Sequence, residues 1–235
     1  MKKLVCFPII YLSLLSCAKK NDDTFVNPVT IVDTIHKSYL ALGDSYTIGE
    51  SVSGTERFPA QTVKLLREEY IDINNPDIIA TTGWTTTNLL NALNNNPPPK
   101  KTYSVITLLI GVNNQYQEKT LDEYTIEFTK LMNMAVFYAG NVKNHVFVLS
   151  IPDYSVTPFA TGSDTAKLAK GIDAFNLANR TIATDAGVHY IDITPISRDA
   201  KNDLTLIAAD GLHPSAIQYK KWSGLLAPMM LKEFQ

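Results

Sequence analysis

The 235-residue chain has two cysteines, Cys6 and Cys17, and none beyond them. The long remainder can form no disulfide and no cysteine-ligated metal site, so its stability must come from a packed core. Basic charge is not in surplus either. The 21 Lys and Arg residues are outnumbered by 23 Asp and Glu, the formal charge is −2 and no segment carries a Lys/Arg stripe, which leaves no electrostatic footprint for nucleic acid. The four histidines are scattered without metal-ligand spacing to other donors, so no metal is expected. No internal repeat or second domain is visible, and 45% hydrophobic residues are enough for one sizeable core.

The N-terminus has a recognisable pattern. Residues 1–16, "MKKLVCFPIIYLSLLS", open with two lysines and continue in an apolar run too short to cross a bilayer, as an export signal does. The tetrad "LLSC" resembles the lipobox of bacterial lipoproteins, which implies that Cys17 is lipidated and anchors the protein in the cell envelope. An ordinary signal peptide with an incidental cysteine is the plainer alternative. The acidic run "KKNDD" after Cys17 resembles outer-membrane and surface-export signals. Residues 17–37 are polar and read as a tether, and the domain is expected over 38–235.

Within the domain, five β-rich runs recur: "YLALG" from 39, "DIIAT" from 77, "SVITLLIG" from 104, "HVFVLSI" from 145 and "VHYIDI" from 188. The middle runs are almost wholly apolar, as strands covered on both faces are. Helical patterns separate them. Pro59 opens one that places Val63, Leu66 and Tyr70 on a face. Thr120 and Glu123 suggest a capping box before Leu121, Tyr124, Phe128, Leu131, Ala135 and Tyr138. Ser163 is placed to cap a helix stopping at Gly187, and residues 215–231 suggest the last helix. This alternation predicts parallel βαβ units in a three-layer α/β/α sandwich, whose ligands bind beyond the carboxyl ends of the strands.

The loops at those ends carry the chemistry. "GDSYT" holds Ser45, "TTGWTTT" holds Gly83 ahead of a threonine cap, and "GVNNQY" holds Asn113. Each alone reads as an ordinary turn or cap. The block "ADGLHPSA" is more telling, because Asp210 and His213 are three residues apart, close enough within a helical turn for the carboxylate to hold the imidazole. Pro214 suits a first helical position beyond them. A serine hydroxyl is a weak nucleophile that needs a base, itself oriented by a third group. Ser45, His213 and Asp210 supply these types. The Ser45 N–H, the Gly83 N–H and the Asn113 amide are candidate donors to an oxyanion.

The order "GDSY", "TTGWTT", "GVNN", "DGLHP" resembles the SGNH hydrolases, also called the GDSL lipase/esterase family, across about residues 38–230. The resemblance implies a flavodoxin-like fold with a five-stranded parallel sheet, a catalytic triad of Ser45, Asp210 and His213, an oxyanion hole from Ser45, Gly83 and Asn113, and no metal or organic cofactor. Tyr46 stands where the name motif has leucine, and Trp84 lies in a threonine run; both are expected to reshape the pocket. The glycine-x-serine-x-glycine elbow of α/β-hydrolases is absent. Expected wall residues are Tyr46, Trp84, Tyr116, Tyr154 and Phe159. The expected reaction is hydrolysis of small esters, acetylated glycans first, with lysophospholipids or other short-chain esters as the alternative. A flavin-phosphate site and a non-catalytic glycan-binding lipoprotein are the readings from other classes.

Overall fold

The computed structural model describes residues 36–235. The export signal, Cys17 and the tether up to residue 35 lie outside the described residues. Five strands, β1 (Tyr39–Gly43), β2 (Asp77–Ala80), β3 (Val105–Leu109), β4 (Val146–Leu149) and β5 (His189–Ile191), form one sheet in the order β2-β1-β3-β4-β5. All four pairings are parallel. Every residue of β1, β3 and β4 is buried, which is why these runs are continuously apolar. The edge strands β2 and β5 are only half-buried.

Among the described residues there are eight α-helices besides short 3-10 turns: α1 (Ser45–Ile48), α2 (Phe58–Glu68), α3 (Thr86–Asn95), α4 (Val112–Tyr116), α5 (Leu121–Tyr138), α6 (Thr165–Ala186), α7 (Thr194–Arg198) and α8 (Ala216–Lys232). Helix α2 packs on α8, while α3 packs on α5 and α5 on α6. Right-handed crossovers explain the two groups, because the β1-to-β2 connection runs toward one sheet edge and the later ones toward the other. Between α2 and α8 the rings of Phe58, Tyr219 and Trp222 lie 5.1 to 6.3 Å apart.

The chain leaves β1 for β2 and then passes back beyond β1 to β3, which makes the β1/β3 boundary the topological switch point. Register aligns the loops there: Gly43 pairs with both Ala80 and Leu109. The segments carrying Ser45, Gly83 and Asn113 therefore start from one level edge.

The local expectations are corrected in several places. Helix α2 ends at Glu68, and Tyr70 lies beyond it at φ 61° and 97% exposed, so it belongs to no buried face. Thr120 caps α5 by accepting the Glu123 N–H at 3.1 Å, but Glu123 turns to Lys119 instead of closing the box. Leu121 is largely exposed. Asp164, not Ser163, caps α6, because its carboxylate accepts the Lys167 N–H. Pro214 precedes the α8 cap Ser215 and bridges to Ile207, so it is no first-turn proline. At the other end Lys37 already pairs with Ile73, placing the last tether residue in the fold.

Gly43 shows how tightly β1 is closed. A Cβ there would stand 2.1 Å from Thr47 Oγ1 and 2.4 Å from the Leu109 carbonyl oxygen. Gly43→Ala is expected to destabilise the domain by about 2 kcal/mol or more, measured as a lowered urea midpoint. An unchanged midpoint would show that this sheet edge yields.

Candidate active site

Strand β1 stops at Gly43, two residues before Ser45. Asp44 caps α1, its Oδ1 accepting the Tyr46 N–H at 3.0 Å while its carbonyl accepts the N–H groups of Thr47 and Ile48. This closes the backbone so abruptly that Ser45 becomes the first residue of a one-turn helix, a position whose own N–H has no partner inside the helix. Ser45 is 4% exposed and lines a pocket of 120 Å³.

His213 lines the same pocket. Asp210 holds it through a turn and not, as the spacing suggested, through a helix: Oδ1 accepts the N–H groups of Leu212 (2.9 Å) and His213 (3.0 Å), and Oδ2 meets His213 Nδ1 at 2.6 Å. The carboxylate can only accept, so Nδ1 carries the proton and Nε2 keeps a free lone pair. Oδ2 also accepts the Ser51 hydroxyl at 2.6 Å. Burial pushes the Asp210 carboxyl up, but these bonds, from Ser51 and His213 foremost, outweigh it and hold the group well below the ordinary carboxylate range. No hydrogen bond joins Ser45 Oγ to His213 among the described residues, and such contacts often tighten only when substrate is bound. The Tyr46 ring packs on the imidazole at 5.1 Å.

Gly83 sits at φ 82° with open space where a Cβ would be, so the backbone conformation, not crowding, favours glycine. Two adjacent asparagines clip its turn to α4. Asn113 Nδ2 donates to the Trp84 carbonyl at 3.0 Å, committing one of its two amide hydrogens, and Asn114 accepts the Thr86 N–H at 2.9 Å while donating to the Thr86 hydroxyl at 2.6 Å. Asn88 accepts from the Thr85 N–H and hydroxyl, so Thr85 is the expected cap of α3. Gly83 and Asn113 both line the Ser45 pocket.

Of the expected wall residues, Tyr46, Tyr116, Tyr154 and Phe159 line this pocket. Trp84 does not: it lines a separate groove with Asn88, Asn91 and Asn95, while its backbone carbonyl accepts from Asn113. Residues that sequence reading passed over are Ser51, Val112 and Leu212, the last two also pocket walls. Nor is His213 alone in having a carboxylate partner, since His36 meets Asp72 and His189 meets Glu233. Both pairs form across the fold, and neither histidine lines the pocket. Among the described residues no three His, Cys, Asp or Glu side chains group as a metal site.

Asp44 is wholly buried beside Ser45, and its Oδ2 has no hydrogen-bond partner. Burial raises its carboxyl from an ordinary 3.8 to about 7, the Tyr46 N–H and its own N–H offsetting only part of this. A carboxyl that holds its proton longer when folded loses stabilising effect as pH rises from its unfolded value through its folded one. Asp44→Asn, neutral throughout, is therefore expected to gain stability relative to the parent between about pH 5 and pH 8, read from urea midpoints at both. A constant difference would mean that the buried carboxyl does not titrate in that window.

Residues 41–221 match the model of the GDSL-like lipase/acylhydrolase family. No curated protein matches the chain by sequence. Solved structures with the same fold include TesA, at 16% identity and a TM-score of 0.64 over 84% of this chain and 99% of that one. Another is Axe2, an acetylxylan esterase from Geobacillus stearothermophilus, at 17% and 0.60 over 84% and 93%. A third is the psychrotrophic esterase EstA from Pseudoalteromonas sp., at 17% and 0.57 over 84% and 96%. The family match runs from within β1 into α8 and takes in every loop that builds the Ser45 pocket, and on that ground the chain belongs to the GDSL-like (SGNH) lipase/acylhydrolases and is an ester hydrolase.

Proposed function

We propose that the protein hydrolyses short-chain carboxylic esters, acetyl esters of carbohydrates first among them, through an acyl-enzyme on Ser45. The observation that carries this reading is the size of the cavity at the serine, 120 Å³, against roughly 300–1,000 Å³ for sites that enclose drug-sized ligands. Its walls are mostly side chains such as Tyr46, Val112, Tyr154 and Leu212, which suit a small apolar acyl group. The likeness to Axe2, described as an acetylxylan esterase, points the same way.

In this mechanism His213 Nε2 takes the Ser45 proton as Oγ bonds to the acyl carbon. The Ser45 and Gly83 N–H groups and the remaining Asn113 amide hydrogen receive the charge that develops on the carbonyl oxygen. The carbon–oxygen bond to the alcohol then breaks, and the proton on Nε2 passes to the departing oxygen. Water, deprotonated by the same nitrogen, attacks the acyl-enzyme and releases the acid. Asp210 keeps Nδ1 protonated throughout.

Ser45→Ala is expected to lower kcat/KM for p-nitrophenyl acetate by about 10³-fold or more, with EDTA leaving the parent rate unchanged. Retained activity in the variant would sink the assignment.

We also propose that the enzyme is exported and held in the cell envelope by a lipid on Cys17, a reading supported by the sequence of residues 1–17. Among the described residues no helix is long and apolar enough to cross a membrane. Cys17→Ser is expected to move the protein from the detergent phase to the aqueous phase in a Triton X-114 partition; unchanged partitioning would refute the anchor.

A further inference from the structure

The small pocket at Ser45 and a neighbouring cleft of 810 Å³ share three aromatic walls, Tyr116, Tyr154 and Phe159. Their rings pack on one another with centroids 5.9 to 6.4 Å apart. The partition is built from beneath. Tyr154 is buried, and its hydroxyl donates to Gln115 Oε1 at 2.8 Å. The Gln115 amide occupies a notch in α6, where a Cβ on Gly171 would stand 2.8 Å from its Nε2. On this floor Tyr116 and Phe159 stand 56% and 47% exposed. The two rings pack on Tyr154 and on each other and still present about half their surface to the cleft.

Two observations decide which half of an ester the cleft receives. The general base must hand its proton to the departing oxygen, so the alcohol leaves on the histidine side. The Phe159 N–H donates to the Gly211 carbonyl at 3.0 Å, inside the turn between Asp210 and His213, which fixes the cleft wall against the base. None of Ser45, Gly83, Asn113 and His213 lines the cleft itself, so its side is assigned by the bond from Phe159 to the turn that carries His213. Beyond the rings, its walls mix Leu168, Ala174 and Phe175 with Ser163, Asp164 and Lys167. A channel for a fatty acyl chain has no use for charged walls. A sugar ring has C–H faces to lay on Tyr116 and Phe159 and hydroxyls for the polar groups.

We infer that this cleft is the alcohol-side subsite, that it takes a carbohydrate, and that Tyr116 and Phe159 are specificity-determining residues; the inference rests on the acyl-enzyme reading above. The test compares the parent enzyme with Phe159→Ala and Tyr116→Ala on two substrate series. The first fixes the acyl group and varies the alcohol, from methyl acetate to acetylated xylo-oligosaccharides. The second fixes the alcohol and varies the acyl group, from p-nitrophenyl acetate to the octanoate. The parent should favour the acetylated sugar over methyl acetate by about tenfold or more in kcat/KM, and each truncation should remove most of that preference, about 1.4 kcal/mol for each tenfold. The acetate-to-octanoate ratio should shift by less than the sugar preference does, because Tyr116 and Phe159 also line the Ser45 pocket. Truncations that shift the acyl-length ratio instead would make the cleft an acyl channel. Truncations that shift neither ratio, or a parent with no preference for the sugar, would equally overturn the subsite. A parent inactive on every ester would sink the reading of the reaction itself and the subsite with it.

Discussion

The site depends on how the Asp210 carboxylate is satisfied. It accepts two backbone N–H groups from its own turn, the imidazole of His213, and the hydroxyl of Ser51 from 159 positions earlier. Four donors on one carboxylate hold it ionised against its partial burial. They also lock the turn that aims His213 and moor the end of the chain to the segment just after α1. Were this carboxylate poorly satisfied, the tautomer of the histidine, the position of the Leu212 wall and the distance between base and serine would all loosen together.

The parallel sheet supplies the complementary constraint. Its middle strands are buried on both faces, so their order and register are set by packing, and their ends define one edge from which the loops emerge. Hydrogen bonds between loops then complete what register begins. Asn113 and Asn114 tie α4 to the turn at Gly83 and the start of α3, so the groups proposed as oxyanion donors are held in place beforehand, as electrostatic stabilisation requires.

Much of this was legible in the chain. The five apolar runs and the helices between them locate the strands to within a residue or two, since a buried parallel strand leaves little freedom in composition. The proximity of Asp210 and His213 was legible from spacing, but its cause was not: a side chain accepting backbone N–H groups two and three residues ahead imitates a helical turn without being one. Ser51 was illegible because its partner lies at the far end of the chain and its positive φ of 64° leaves no compositional mark. Trp84 misled because residue type suggests a pocket wall, whereas its ring lines the groove beside α3. The buried state of Asp44 was hidden for a similar reason, since Gly-Asp-Ser reads as a solvated turn unless the neighbouring strands are known to close over it.

The bond from Phe159 to Gly211 has a consequence for how such an enzyme can change over generations. In many scaffolds the loop that selects a substrate hangs apart from the groups that perform the reaction, and the two vary independently. Here the loop proposed to select the substrate is fastened at Phe159 to the Gly211 carbonyl, between Asp210 and His213, so an insertion or deletion near residue 159 pulls on the imidazole as well as on the wall. Diversification along this lineage would therefore favour exchanges of ring for ring at fixed loop length over changes in the loop's reach.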